Sequence, residues 1–123
     1  RRGINQLAAI DCVGVVDRYD ESMVVFEAKL RADFPDIDLA YRAQNVTNPR
    51  SEVTLETRVN DTLERLGDLA VEVIRLNSYD LALYRQANQK LDAALAELPD
   101  AERSLEDFRK RCQKLNARRL RLW

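Results

Sequence analysis

The sequence predicts a mostly helical α/β fragment, and three observations carry that prediction. One short run, Ile10 to Val16, is apolar and valine-rich, the composition of a strand covered on both faces. Longer stretches place apolar residues at three- and four-residue spacing, as helices with one buried face do. Only one further run, Ile37 to Val46, offers itself as a neighbour for the first, so the sheet is incomplete within 123 residues.

Taken in order, a strand is expected over about 10–16, with Gly14 suiting close backbone approach better than a helix interior. A helix over about 20–34 follows. Asp20 or Ser22 is placed to cap it, Met23, Val24, Phe26, Leu30 and Phe34 form its stripe, and Pro35 ends it. Ile37, Leu39 and Tyr41 alternate, which predicts an edge strand over about 37–43 or an extended loop in its place. Asn48-Pro49 is a cap followed by a first-turn proline, and opens a helix over about 50–76 carried by Val59, Leu63, Leu66, Ala70 and Val73. Asn77-Ser78-Tyr79-Asp80 restarts the chain as a helix over about 78–98. Pro99-Asp100 breaks it once more before a last helix over about 100–120, marked by Leu105, Phe108, Cys112 and Leu115. This divides the chain into a body, 1–98, and a basic C-terminal helix, 99–123.

Composition limits the chemistry. With 46% hydrophobic and 33% charged residues the chain reads as globular, and a chain of this size buries about two-thirds of its unfolded surface. No apolar run is long enough to span a membrane. The sequence has no histidine, which removes the commonest general base and metal ligand together with every Ser-His or Cys-His pair. Three glycines, at 3, 14 and 67, make no phosphate-cradling loop. Cys12 and Cys112 form no metal or redox motif and read as small core residues in a reducing cytoplasm. No catalytic residue and no metal site is therefore assigned. The opening Arg1-Arg2-Gly3, without methionine, reads as the edge of a piece of something longer.

Charge is segregated although its sum is only −1. From Arg103 onward eight basic residues face only Glu106 and Asp107, a net of +6, which leaves −7 on residues 1–102. Arg109, Lys110, Arg111, Arg118 and Arg119 are thus candidates for binding an anion. The alternative is a helix face lying against the acidic body. No reading motif or interleaved aromatic accompanies these residues, so nucleic acid is not expected as a partner. Asp17, with Arg18 beside it, sits just past the carboxyl end of the expected strand, where open α/β sheets bind ligands, and both are candidates for substrate contact. Asp20 and Glu21 are explained as well by the first turn of a helix.

The stretch "IDCVGVVDRYDESMVVFEAKL" resembles a segment near the C-terminus of carbohydrate sulfotransferases of the heparan sulfate 2-O-sulfotransferase-like, P-loop-like group. There, a phrase of the type Phe-Val-Gly-(Val or Leu)-(Thr or Ser)-Glu precedes an acid-rich turn and a helix. Val13, Gly14 and Val15 match, Asp17 stands at the usual glutamate, and Val16 replaces the usual Thr or Ser. A second segment, "LNSYDLALYRQANQKL", is similar to that group's penultimate helix through Asn77, Asp80, Leu83 and Tyr84. The likeness spans roughly residues 9–95, and the basic tail after Pro99 has no counterpart in it.

The resemblance implies a fold that moves a sulfuryl group from 3′-phosphoadenosine 5′-phosphosulfate to a carbohydrate hydroxyl, with an anionic sugar as acceptor. It also implies that the donor loop and catalytic base lie upstream, so this chain holds no cofactor and transfers nothing alone. The rival expectation is a helical interaction module, a homodimer included, whose stripes from Val59 to Leu98 meet a partner.

Overall fold

A computed structural model of the chain describes residues 2–42 and 53–120, the last two of these as backbone only. It is mostly helical: α1 (Arg2–Ala9), a 3-10 turn (Val16–Arg18), α2 (Tyr19–Leu30), α3 (Leu55–Leu66), α4 (Leu69–Leu76), α5 (Ser78–Ala96) and α6 (Ala101–Leu120). The chain divides into two compact units, Arg1–Arg42 with Ala82–Trp123, and Ala43–Leu81.

No strand occurs among the described residues, which corrects the expectation at 10–16 and at 37–43. The first segment is extended, with φ −121° and ψ 126° at Val15, but it pairs with no neighbour. Side chains take over the work of a ladder. Lys90 Nζ donates to the carbonyls of Leu7, Ala8 and Ile10, closing the free C-terminal end of α1, and Lys29 Nζ reaches the Asp11 carbonyl. The Val15 amide donates to Ser22 Oγ at 2.9 Å. Burial is one-sided as well: Val15 is 5% exposed, whereas Val16 is 88% exposed and opens the 3-10 turn. The second segment behaves alike as far as Arg42, with the Leu39 amide on Glu27 Oε1, the Ala40 amide on Asp38 Oδ1 and the Tyr41 amide on Cys112 Sγ. Residue 43, like the Asn48-Pro49 cap, lies outside the described residues.

The first unit closes on α2 and α6, which pack together. Val15, Val25 and Leu91 form a buried cluster, with Phe26, Ala87, Ala94, Leu95 and Leu98 packed against it. Phe108 of α6 is fully buried, and the Tyr41 and Phe108 rings lie 6.3 Å apart. Helix α2 is shorter than expected. It stops at Leu30 and unwinds through turns, leaving Phe34 exposed rather than on the stripe. Neither Asp20 nor Ser22 caps it, because Ser22 is buried and bonds backward to the Arg18 carbonyl at 2.8 Å. Helix α6 has a side-chain cap: Asp100 Oδ1 accepts the Arg103 amide at 3.1 Å.

In the second unit, Thr54 caps α3 by accepting the Thr57 amide at 3.2 Å. Gly67 ends α3 at φ +53°, a conformation that costs a glycine little and breaks the expected 50–76 helix in two. The break at Asn77 falls where the sequence placed it, between α4 and α5.

Candidate functional site

The 3-10 turn Val16–Arg18 and the first turn of α2 present Asp17, Arg18, Tyr19, Asp20 and Glu21 together. Both residues singled out for substrate contact sit there. The Asp17 carboxylate accepts the Tyr84 hydroxyl of α5, and that bond raises the Tyr84 phenol above its ordinary range. Arg18 Nε donates to Glu21, and its Nη1 donates to Asn88 Oδ1 at 3.2 Å and Asp92 Oδ1 at 2.7 Å. Burial disfavours the Arg18 charge, but the bonds to Asp92 and Glu21 outweigh it and raise its pKa. Arg18 therefore clamps the turn onto α5, and its charge is shared between two carboxylates.

Asp20 joins this rim to two other elements. Its Oδ1 accepts the Tyr41 hydroxyl at 2.9 Å and its Oδ2 accepts Arg109 Nε at 3.1 Å. Tyr19 stands edge-on to Tyr41 with ring centroids 4.8 Å apart. Burial, then the bond to Asp20, pushes the Tyr41 phenol up to about 12, so it is a neutral donor at ordinary pH. The cleft between these groups measures about 260 Å³ and is lined by three carboxylates, two guanidiniums and two phenols. Such a surface suits hydroxyl-bearing ligands through hydrogen bonds more than it suits a single strong anion, because acidic groups outnumber basic ones.

The basic residues of α6 fall into two sets. Arg109 pairs with Asp20, Lys110 with Glu106 at 2.8 Å, and Arg111 with Glu27 and Asp38. These three lean on carboxylates of α6 and of the acidic body. Arg118 is exposed one turn or more beyond, and the side chain of Arg119 lies outside the described residues. A larger cleft, about 420 Å³, runs over the Glu27–Arg111 pair and is bounded by Arg31, Pro35, Asp38 and Leu98.

Sequence reasoning passed over Glu27, Tyr41, Asn88 and Asp92. For Glu27 a signal existed: a carboxylate three residues past Val24 on a buried helical face requires a cation, and Arg111 is that cation. For the others the signal was lacking, since nothing local ties α5 to a turn seventy residues earlier.

No protein-family model, curated protein or solved structure matched the chain.

Among the described residues no three potential metal ligands gather, and no helix is long and apolar enough to cross a membrane.

Proposed function

We propose that this chain is the C-terminal portion of a sulfotransferase-like protein, which positions an acceptor carbohydrate while donor binding and proton removal occur elsewhere in the polypeptide. One observation supports this reading most. The two sequence segments that resemble the family are far apart in the chain, yet their distinguishing residues meet. Asp17, at the family's glutamate position, binds the hydroxyl of Tyr84 from the penultimate-helix motif. Around that bond Arg18 holds Asn88, and Val15 packs with Leu91 and Ala87.

On this reading the rim of Asp17 and Arg18 faces the acceptor and meets its hydroxyls, and of the five basic candidates Arg118 is the exposed one left to meet an anionic group, since Arg109, Lys110 and Arg111 are held by carboxylates and the Arg119 side chain lies outside the described residues. The donor is 3′-phosphoadenosine 5′-phosphosulfate. With no histidine and no glycine-rich loop, this chain supplies neither the base nor the phosphate cradle. Calorimetric titration of the chain with adenosine 3′,5′-bisphosphate is expected to give no binding heat, and measurable binding would overturn that division of labour. The coding DNA upstream of Arg1 should encode a strand followed by a glycine- and lysine-bearing loop ending in Ser or Thr. An upstream reading frame lacking such a loop would remove the transferase reading.

A second reading, a helical interaction or dimerisation module, is favoured by α3. Its stripe of Leu55, Val59, Leu63 and Leu66 occupies one face, and Leu55 and Val59 remain about half exposed. Sedimentation of the chain beside its Leu66→Asp variant separates the readings. A dimer lost on substitution supports the module, whereas a monomer that merely unfolds supports an internal core.

A further inference from the structure

The cleft between α2 and α6 shares no lining residue with the rim cleft of Asp17 and Arg18. Val24, Ala28 and Arg31 border it from α2, and Ser104, Asp107 and Arg111 from α6, each set spaced by three and four residues along one helical stripe. Its volume, about 420 Å³, falls in the range of small-molecule sites, about 300–1,000 Å³. Four carboxylates and two guanidiniums line it, a net charge of −2.

The cations at this cleft already lean on acids. Arg111 is held by Glu27 and Asp38, and Arg31 Nη2 stands 3.8 Å from Glu27 Oε2. Lys110, one turn along α6 from Asp107, is taken by Glu106. Asp36 and Asp107 are exposed, and among the described residues neither has a hydrogen-bond or ion-pair partner. The charge left to a ligand is therefore negative and sits on these two.

Three classes of ligand do not fit. An anion meets a net negative charge. A single metal ion needs converging oxygens, and among the described residues no three potential metal ligands gather. A flat aromatic ligand gains from a ring to stack on, whereas the uncharged lining is Ser104 with Val24, Ala28, Pro35, Ile37 and Leu98. An extended cation with an aliphatic body suits both the separated acids and the aliphatic wall.

We infer that this cleft binds an aliphatic diamine, whose ammonium ends meet Asp36 and Asp107 while its methylenes lie on the aliphatic wall. Ammonium groups are strongly hydrated, so exposed carboxylates can meet them without full loss of water. The site stands under either reading of the chain's function.

Amide NMR of the whole chain, titrated with diaminobutane and diaminopentane, tests it. Salt is held at about 0.15 M, where charges more than about 8 Å apart are screened. Saturable shifts confined to residues 27–38 and 104–111 are expected. Butylamine, with the aliphatic body but one charge, should bind at least about threefold more weakly, and Asp36→Asn and Asp107→Asn should each weaken the diamine by about threefold. Glu64→Gln, which removes the same charge from α3, should leave binding unchanged. Ala28→Lys places a cation in the exposed wall and should abolish binding in a chain that circular dichroism shows still folded. Any of four results overturns the inference: no saturable shift, shifts scattered over the chain, butylamine or magnesium ion binding as tightly as the diamines, or Glu64→Gln weakening binding as much as Asp107→Asn.

Discussion

Arg111 Nη2 lies 2.7 Å from Glu27 Oε2, and the Glu27 side chain is 5% exposed, so a carboxylate from the buried face of α2 meets its cation from α6 across the core of the first unit. The other oxygen of Glu27 accepts Arg111 Nη1 at 2.9 Å and the Leu39 amide at 2.8 Å. The guanidinium also stands 5.2 Å from the Phe108 ring. One side chain thus joins α2, α6 and the extended segment before Arg42, and the bonds to Glu27 hold the Arg111 charge above its already high range.

Removing the cation alone strands a buried carboxylate. Arg111→Met is expected to lower unfolding free energy by about 2 kcal/mol, toward the low side for buried pairs because Arg111 keeps part of its solvent contact. Adding Glu27→Gln should restore part of that loss, because the charge is gone and one acceptor for the Leu39 amide survives. Urea unfolding of the four proteins measures it. Strictly additive effects would show that the pair contributes no coupling of its own.

The Tyr41 phenol sets a pH limit on the same unit. Its pKa is raised from the ordinary 10 to about 12 by burial and by Asp20, so the folded form favours the neutral hydroxyl. The stabilisation is fully present below pH 10 and is lost as pH rises from 10 toward 12, where the phenolate would face a carboxylate. Unfolding free energy should therefore fall more steeply over that window in the native sequence than in Tyr41→Phe. Absorbance at alkaline pH should show one late phenol titration disappear in the variant. Parallel pH profiles would refute the assignment.

Gly14 and Ser22 make the turn that carries Asp17 possible. A β-carbon at residue 14 would sit 3.0 Å from Phe26 Cζ and 3.1 Å from Ser22 Cβ, so Gly14→Ala must push α2 away at about 1–2 kcal/mol. Ser22→Ala strips the Val15 amide of its acceptor at a site 1% exposed and should cost about 2 kcal/mol. Thermal melts check both. If the turn serves the Asp17–Tyr84 contact, both variants should also return the Tyr84 phenol titration toward its ordinary range at a pH where circular dichroism shows each variant still folded.

Much of the helical layout was legible because it is local. The 3.6-residue stripes of α5 and α6, the restart at Asn77 and the break at Pro99-Asp100 depend on neighbours within a turn or two, and each appears in the structure close to its expected limits. Gly67 was harder to read. A lone glycine inside a periodic stretch is tolerated, and only its φ of +53° shows that the chain turns there. Phe34 misled for a related reason: it continues the stripe of α2 in sequence, but the helix has already unwound at Leu30.

By itself the sequence determined the helical class, the course of α5 and α6 and how charge divides along the chain, since these follow from composition and from contacts a few residues apart, whereas α1 carried no expectation and the helix expected over 50–76 is two. Only the tertiary structure decided what the valine-rich segment and the carboxylates do. An extended backbone becomes a strand only if another extended backbone arrives beside it, and here lysine ammoniums and a serine hydroxyl arrive instead. A carboxylate likewise takes its role from the group folded against it, which for Asp17, Asp20 and Glu27 lies on a partner up to 89 residues away.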